Sequence, residues 1–245
     1  MKIPMSVLGR LLPIVAISGT LMLAVPFSAT EVSAADIDSS IARGGRLYDK
    51  WYKEIGGQAP DETHALWPAS NTKKAGEVTN RCKSCHGWDL KGVDGAYGSG
   101  SYKTGIKGLT AFAGGSNDAV IAVMKSDAHG YAGKMADQDY VDLANFVTKG
   151  QLDMASVINY ETKLALGDAA KGEAYYNGLC AGCHGADGKK IKDMEDPVGA
   201  LARDNPWEIL HKIQNGQPKE GMSALRSLPI DVSSDILAYI QTLPE

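Results

Sequence analysis

The sequence predicts an all-α protein built from two small helical units in tandem. Three observations carry that expectation. "RCKSCHGWD" at Arg81–Asp89 recurs as "LCAGCHGAD" at Leu179–Asp187. Each copy sits in the same order of segments: a glycine-bearing helical stretch, the cysteine–histidine group, a turn-rich loop, a second helix, a methionine loop and a last helix. The apolar residues of these stretches recur at helical spacing rather than in strand-like alternation.

The 245 residues allow one large domain or two small ones. With 44% hydrophobic and 22% charged residues, the composition is that of a globular chain rather than a disordered one. The net charge is −4, and no Lys/Arg-rich run points to nucleic acid.

Residues 1–34 read as a secretory signal peptide. Lys2 and Arg10 precede an apolar core, Leu11–Phe27, and small residues offer cleavage after Ala34 or Ala35. A retained membrane anchor is the alternative, although the apolar run is near the lower length limit for a spanning helix. Removing Lys2, Arg10 and Glu31 leaves 23 basic against 28 acidic residues, a charge of −5. An acidic exported protein suits partners with a basic docking face.

The four cysteines, Cys82, Cys85, Cys180 and Cys183, all lie in C-x-x-C-H. Two disulfides, or one zinc bound by four thiolates, would account for the cysteines. Neither accounts for His86 and His184, each directly after the second cysteine. Positions i, i+3 and i+4 share one face of a helical turn. Two thiols there can form thioethers to the haem vinyl groups, and the adjacent imidazole can face the iron. C-x-x-C-H is the attachment signature of c-type haem. The expected cofactors are two covalently attached haem c groups.

The second unit, residues 156–245, is the cleaner one. Asp168 starts its opening helix, which carries Gly172. A helix from about Asn205 to Gln214 has Pro206 in its first turn and ends at Gly216 and Pro218. The last helix, within Pro229–Pro244, carries Ile236, Leu237, Tyr239 and Ile240 on its apolar positions. The first unit, residues 35–155, repeats the order: an opening helix at Ser39–Gly56 with Gly44 and Gly45, the motif at Cys82–His86, and a last helix from about Asp137 to Thr148 with Phe146. Asn117 to Met135 spans eighteen residues, and Asn205 to Met222 seventeen.

On these residues each unit resembles a class I cytochrome c domain, and the whole layout is similar to the dihaem cytochrome c4 group. The resemblance implies a small helical fold wrapped around each haem. It implies a helix crossing at Gly172 and Tyr239, proximal ligands His86 and His184, and distal ligands Met135 and Met222. His129, six residues before Met135, is the competing ligand of the first haem. The resemblance also implies that a proline carbonyl, Pro197, fixes the other ring nitrogen of His184. The first unit has no such proline between Cys85 and Met135, so the "TGIKGL" stretch at Thr104–Leu109 is the candidate there. Trp88 reads as haem packing and His211 as a surface or haem-edge residue.

One feature departs from the pattern. Gly172 precedes Cys180 by eight residues, but Gly45 precedes Cys82 by thirty-seven. The extra segment, about 52–80, is polar and turn-rich, and reads as a flap over the first haem or as a docking loop. The join at Lys149–Asp168 is not Gly/Ser-rich and is expected to lie across the domain surfaces, holding the units in a fixed relation.

A haem with both axial positions filled exchanges electrons rather than binding substrate. The chain therefore reads as a periplasmic electron carrier serving redox partner proteins, in transient contact with membrane redox complexes, rather than as an enzyme. Two alternatives stay open. One is a haem oxidoreductase of sulfur compounds or other small molecules, with an open or unusual first haem. The thiosulfate dehydrogenases share the layout, but their catalytic haem takes a cysteine ligand, and no cysteine here is spare. The other is an electron-transfer subunit of a dehydrogenase complex.

Overall fold

Two helix crossings frame the molecule, and a glycine makes each possible. In the computed structural model, which describes residues 1–2 and 34–245, α1 (Ala34–Glu54) packs on α4 (Asp137–Lys149), and α5 (Ala169–Leu179) packs on α9 (Ile230–Ile240). A Cβ on Gly44 would overlap the Asp142 carbonyl oxygen and lie 2.7 Å from the Phe146 Cβ. A Cβ on Gly172 would overlap the Asp235 carbonyl oxygen and lie 2.9 Å from the Tyr239 Cβ. Of the two candidates in α1, Gly44 thus matches Gly172. Gly45 faces elsewhere: a Cβ there would overlap the Asn215 side chain, so this glycine admits α8 (Pro206–Asn215) of the second half against α1.

The local signals place the helix ends. The Asp168 carboxylate accepts from the Ala170 amide at 2.9 Å, satisfying a donor that the first turn of α5 leaves unpaired. Pro206 occupies the first turn of α8, and Gly216, at φ 84°, ends it. α1 breaks at Lys50, whose φ and ψ are −151° and 77°. Arg43 ties α1 to α4 through Asp139 at 2.5 Å and Asp142 at 2.6 Å. The motif helices α2 (Cys82–His86) and α6 (Ala181–His184) each stop on a glycine, Gly87 at φ 79° and Gly185 at φ 82°. A short helix not expected from the sequence, α7 (Val198–Asp204), precedes α8, and α3 (Asn117–Met124) is the first half's counterpart of α8. Among the described residues no β-strand forms, and no helix is long and apolar enough to cross a membrane. Nearly all of the expected signal peptide lies outside the described residues.

The core consists of two apolar clusters. One gathers Leu47, Tyr48, Trp51, Tyr140, Leu143 and Phe146 of the first half. The other gathers Tyr176, Leu210, Ile236 and Leu237 of the second half, yet also takes in Trp88 and Tyr97 from the first. Trp88 thus packs in the second cluster rather than the first. It is fully buried, with its ring 4.9 Å from that of His211. His211 is likewise not at the surface: it is buried between the halves, and its Nε2–H donates to the Gly45 carbonyl at 2.9 Å. The joining segment goes deeper than a surface strap, because Met154, Val157 and Ile158 are buried in the second cluster. Its Tyr160 hydroxyl donates to Asp89 at 3.0 Å.

Charges seal the contact between the halves. Asp49 of α1, 1% exposed, pairs with Arg81 beside the first motif and with Lys212 of α8. Burial alone would raise the Asp49 carboxyl, but Lys212 and Arg81 hold it well below the usual carboxylate range. Arg46 donates to the Asn215 carbonyl at 3.0 Å, and Lys53 pairs with Glu220 at 2.9 Å.

Candidate haem-binding sites

The backbone around the two motifs is held in the same way. In the first half the Tyr48 hydroxyl, one turn after Gly44, donates to the Gly87 carbonyl at 2.6 Å. In the second the Tyr176 hydroxyl, one turn after Gly172, donates to the Gly185 carbonyl at 2.9 Å. The Gly92 amide donates to the His86 carbonyl at 2.8 Å, and the Lys190 amide to the His184 carbonyl at 2.9 Å. Each opening helix thus clamps the loop that follows its own motif histidine.

Cys82, Cys85 and His86 line one cavity of about 270 Å³. Its walls are largely apolar and include Ile106, Phe112, Val120, Met124, Leu143 and Val147. The His86 Nδ1–H donates to the Lys107 carbonyl at 2.9 Å, within the stretch expected to supply that acceptor. Fixing one ring nitrogen orients the other as a metal ligand. Burial lowers the His86 imidazole, the Lys107 bond opposes this, and nearby His129 adds to the lowering.

The four cysteines are free, and burial pushes the thiols of Cys82, Cys85 and Cys180 up to about 12, 11 and 11. Those three are protonated thiols rather than reactive thiolates. Among the described residues no three His, Cys, Asp or Glu side chains group to hold a metal ion, so the two cysteine pairs do not form a four-thiolate zinc site. An apolar cavity edged by two thiols and an anchored imidazole fits covalent haem. The second motif carries the same donor set, and its buried His184 Nδ1 has no hydrogen-bond partner. The Pro197 carbonyl, expected to serve that nitrogen, instead accepts from the Leu201 amide at 3.1 Å.

The structure does not bring Met135 into the His86 cavity. Met135 and Met222 both line a separate open groove of about 890 Å³, together with Arg46, Glu54, Lys134 and Lys219. His64 and His129 do line the cavity. On the sequence, His64 of the extra segment stands beside His129 as a competitor of Met135, and nothing there singles out Asp49 or Lys212.

Residues 167–240 match the family model described as cytochrome C oxidase, cbb3-type, subunit III. That match supports a c-type cytochrome, and with it an all-α domain, covalent haem c and electron transfer. No curated protein matches the chain.

Proposed function

We propose that the chain is an exported dihaem c-type cytochrome that relays single electrons between redox partner proteins in the periplasm. The observation that carries this is the repeated construction of the two motifs: the same glycine crossing, the same tyrosine clamp and the same glycine stop after each C-x-x-C-H. Cys82 and Cys85 would hold one haem c, with His86 as its proximal ligand. Cys180 and Cys183 would hold the other, between His184 and Met222. When bound, haem c supplies reversible one-electron exchange. The chain's own part is to orient the imidazoles, exclude water with the apolar walls around the first motif, and fix the two sites on one body.

That last task rests on the buried Asp49–Arg81–Lys212 cluster and on the joining segment docked in the second core. Exposed haem edges and an acidic surface would suit brief, charge-steered encounters. Intact mass of the exported protein tests the reading. The expected mass is that of the chain cleaved after Ala34 or Ala35 plus two haems. The pair Cys82→Ser/Cys85→Ser removes one haem, and Cys180→Ser/Cys183→Ser the other. A wild-type mass with a single haem defeats the dihaem reading.

A further inference from the structure

We infer that His129, not Met135, is the distal ligand of the first haem, and that the extra segment exists in part to hold it there. The inference rests on the dihaem reading above.

Two counts along the chain disagree about the distal position. Counted forward from Asn117 and Asn205, Met135 falls in step with Met222. Counted back from the last helix of each half, it does not. Met222 lies eight residues before α9 begins at Ile230, and His129 lies eight residues before α4 begins at Asp137. Met135 is only two residues before α4, where Leu228 stands in the second half. The backward count is the physically firmer one, because the α1–α4 and α5–α9 crossings fix those last helices against the motif-bearing body.

The side chains agree with it. Met135 is anchored at the helix start, its amide 3.3 Å from the Tyr140 hydroxyl, and is not among the residues that line the His86 cavity, whereas His129 is. Besides the motif residues, the lining of the cavity that holds Cys82, Cys85 and His86 carries Tyr48, His64, Thr79, Arg81, Met124, His129 and Tyr131, and hydrogen bonding sorts them. Thr79 bonds the Gly76 carbonyl, and Arg81 pairs with Asp49. Tyr48 and Tyr131 donate to the carbonyls of Gly87 and Asn80. His64 has both ring nitrogens engaged: Nδ1 accepts from the Leu66 amide at 3.1 Å, and Nε2–H donates to the His129 carbonyl at 3.1 Å. Met124 is a buried member of the apolar cluster, within α3. His129 is the exception, with a buried Nδ1 that meets no partner. A buried ring nitrogen without a partner costs about 1–3 kcal/mol.

His64 comes from the segment that the second half lacks. The His64 amide is held in turn by the Thr79 hydroxyl at 2.9 Å, and the Asn80 amide group donates to the Glu62 carbonyl at 2.7 Å. His64 is thus a positioning residue, gripping the backbone of His129 while its own ring stays out of the ligand set.

Near-infrared magnetic circular dichroism and electron paramagnetic resonance of the ferric, haem-loaded full chain decide the matter, alongside intact mass. The expected wild-type spectrum has one histidine/histidine haem and one histidine/methionine haem. Met135→Leu leaves both signatures intact. His129→Ala turns one haem high-spin, and added imidazole returns it to low spin. His64→Leu keeps two haems but splits the histidine/histidine signal into several forms, and His64→Gln, which can still donate, restores a single form. Two histidine/methionine haems in the wild type, one of them lost in Met135→Leu or in Met124→Leu, overturn the inference while leaving the dihaem reading standing. A mass with a single haem overturns both. The wild-type spectrum needs no variant to fold.

Discussion

Gly172 and Gly44 show how much one missing methyl group can decide. Each stands where a Cβ would overlap a carbonyl oxygen of the partner helix. Gly172→Ala and Gly44→Ala are each expected to destabilise the chain by about 1–3 kcal/mol, since the crossing helices must move apart. Gly178, also in α5, has no atom within 4 Å of the Cβ it would gain. Gly178→Ala should therefore stabilise by about 0.5–1 kcal/mol, because it removes only backbone freedom. Denaturant midpoints of the three variants check both signs. His211 carries a pH prediction of its own. Burial, chiefly, lowers its imidazole to about 3, against about 6.5 in an unfolded chain. Between those values the unfolded chain takes up a proton that the folded one refuses. Stability should thus fall as pH drops through that window, by at most about 1.4 kcal/mol per pH unit from this group. His211→Gln should flatten that slope in denaturation curves measured across pH.

At the scale of elements, the join between α1, α2 and α8 turns on one carboxylate. Asp49 faces two cations in a buried setting. Asp49→Asn would leave Arg81 and Lys212 buried without a counter-charge, a loss of about 3–5 kcal/mol. Restoring part of that stability with Lys212→Met in the same chain would show that the uncompensated charge, rather than lost shape, is the cause. Because the folded Asp49 carboxyl titrates below its unfolded value, its contribution is complete above about pH 4 and fades as pH falls below that. Thermal melts of the single and double variants at neutral pH and below about pH 4 test both statements.

On the dihaem reading proposed above, the whole molecule would set two haem sites of different character on one body. Methionine ligation raises a haem's potential relative to histidine ligation. In a potentiometric titration the proposed ligands give two separate one-electron waves, with the second half reduced first. Met222→His should lower the upper wave towards the other without changing the haem count. Electrons would then favour entry at the first half and exit at the second, and the extra segment packed against the first cavity would control access to the entry side.

Much of this was legible in the chain. The duplicated C-x-x-C-H, the helix starts at Asp168 and Asn205, and the glycine–aromatic crossing at Gly172 and Tyr239 are local or periodic signals, and helices obey local rules. The stretch Thr104–Leu109 was legible as the source of the His86 acceptor because the first half lacks the expected proline. What sequence could not carry was pairing across distance. Whether Trp88 joins the first haem site or the second core depends on how the halves dock, as does the burial of His211 and Asp49. The choice between Met135 and His129 depended on which helix the loop is measured from, and only packing shows that the last helix is the fixed reference. The sequence by itself determined the chemistry, since covalent attachment needs a fixed spacing within five residues. The tertiary structure alone decided which residues surround that chemistry, because burial and hydrogen-bond partners are set by segments up to 169 positions apart, as for Arg46 and Asn215.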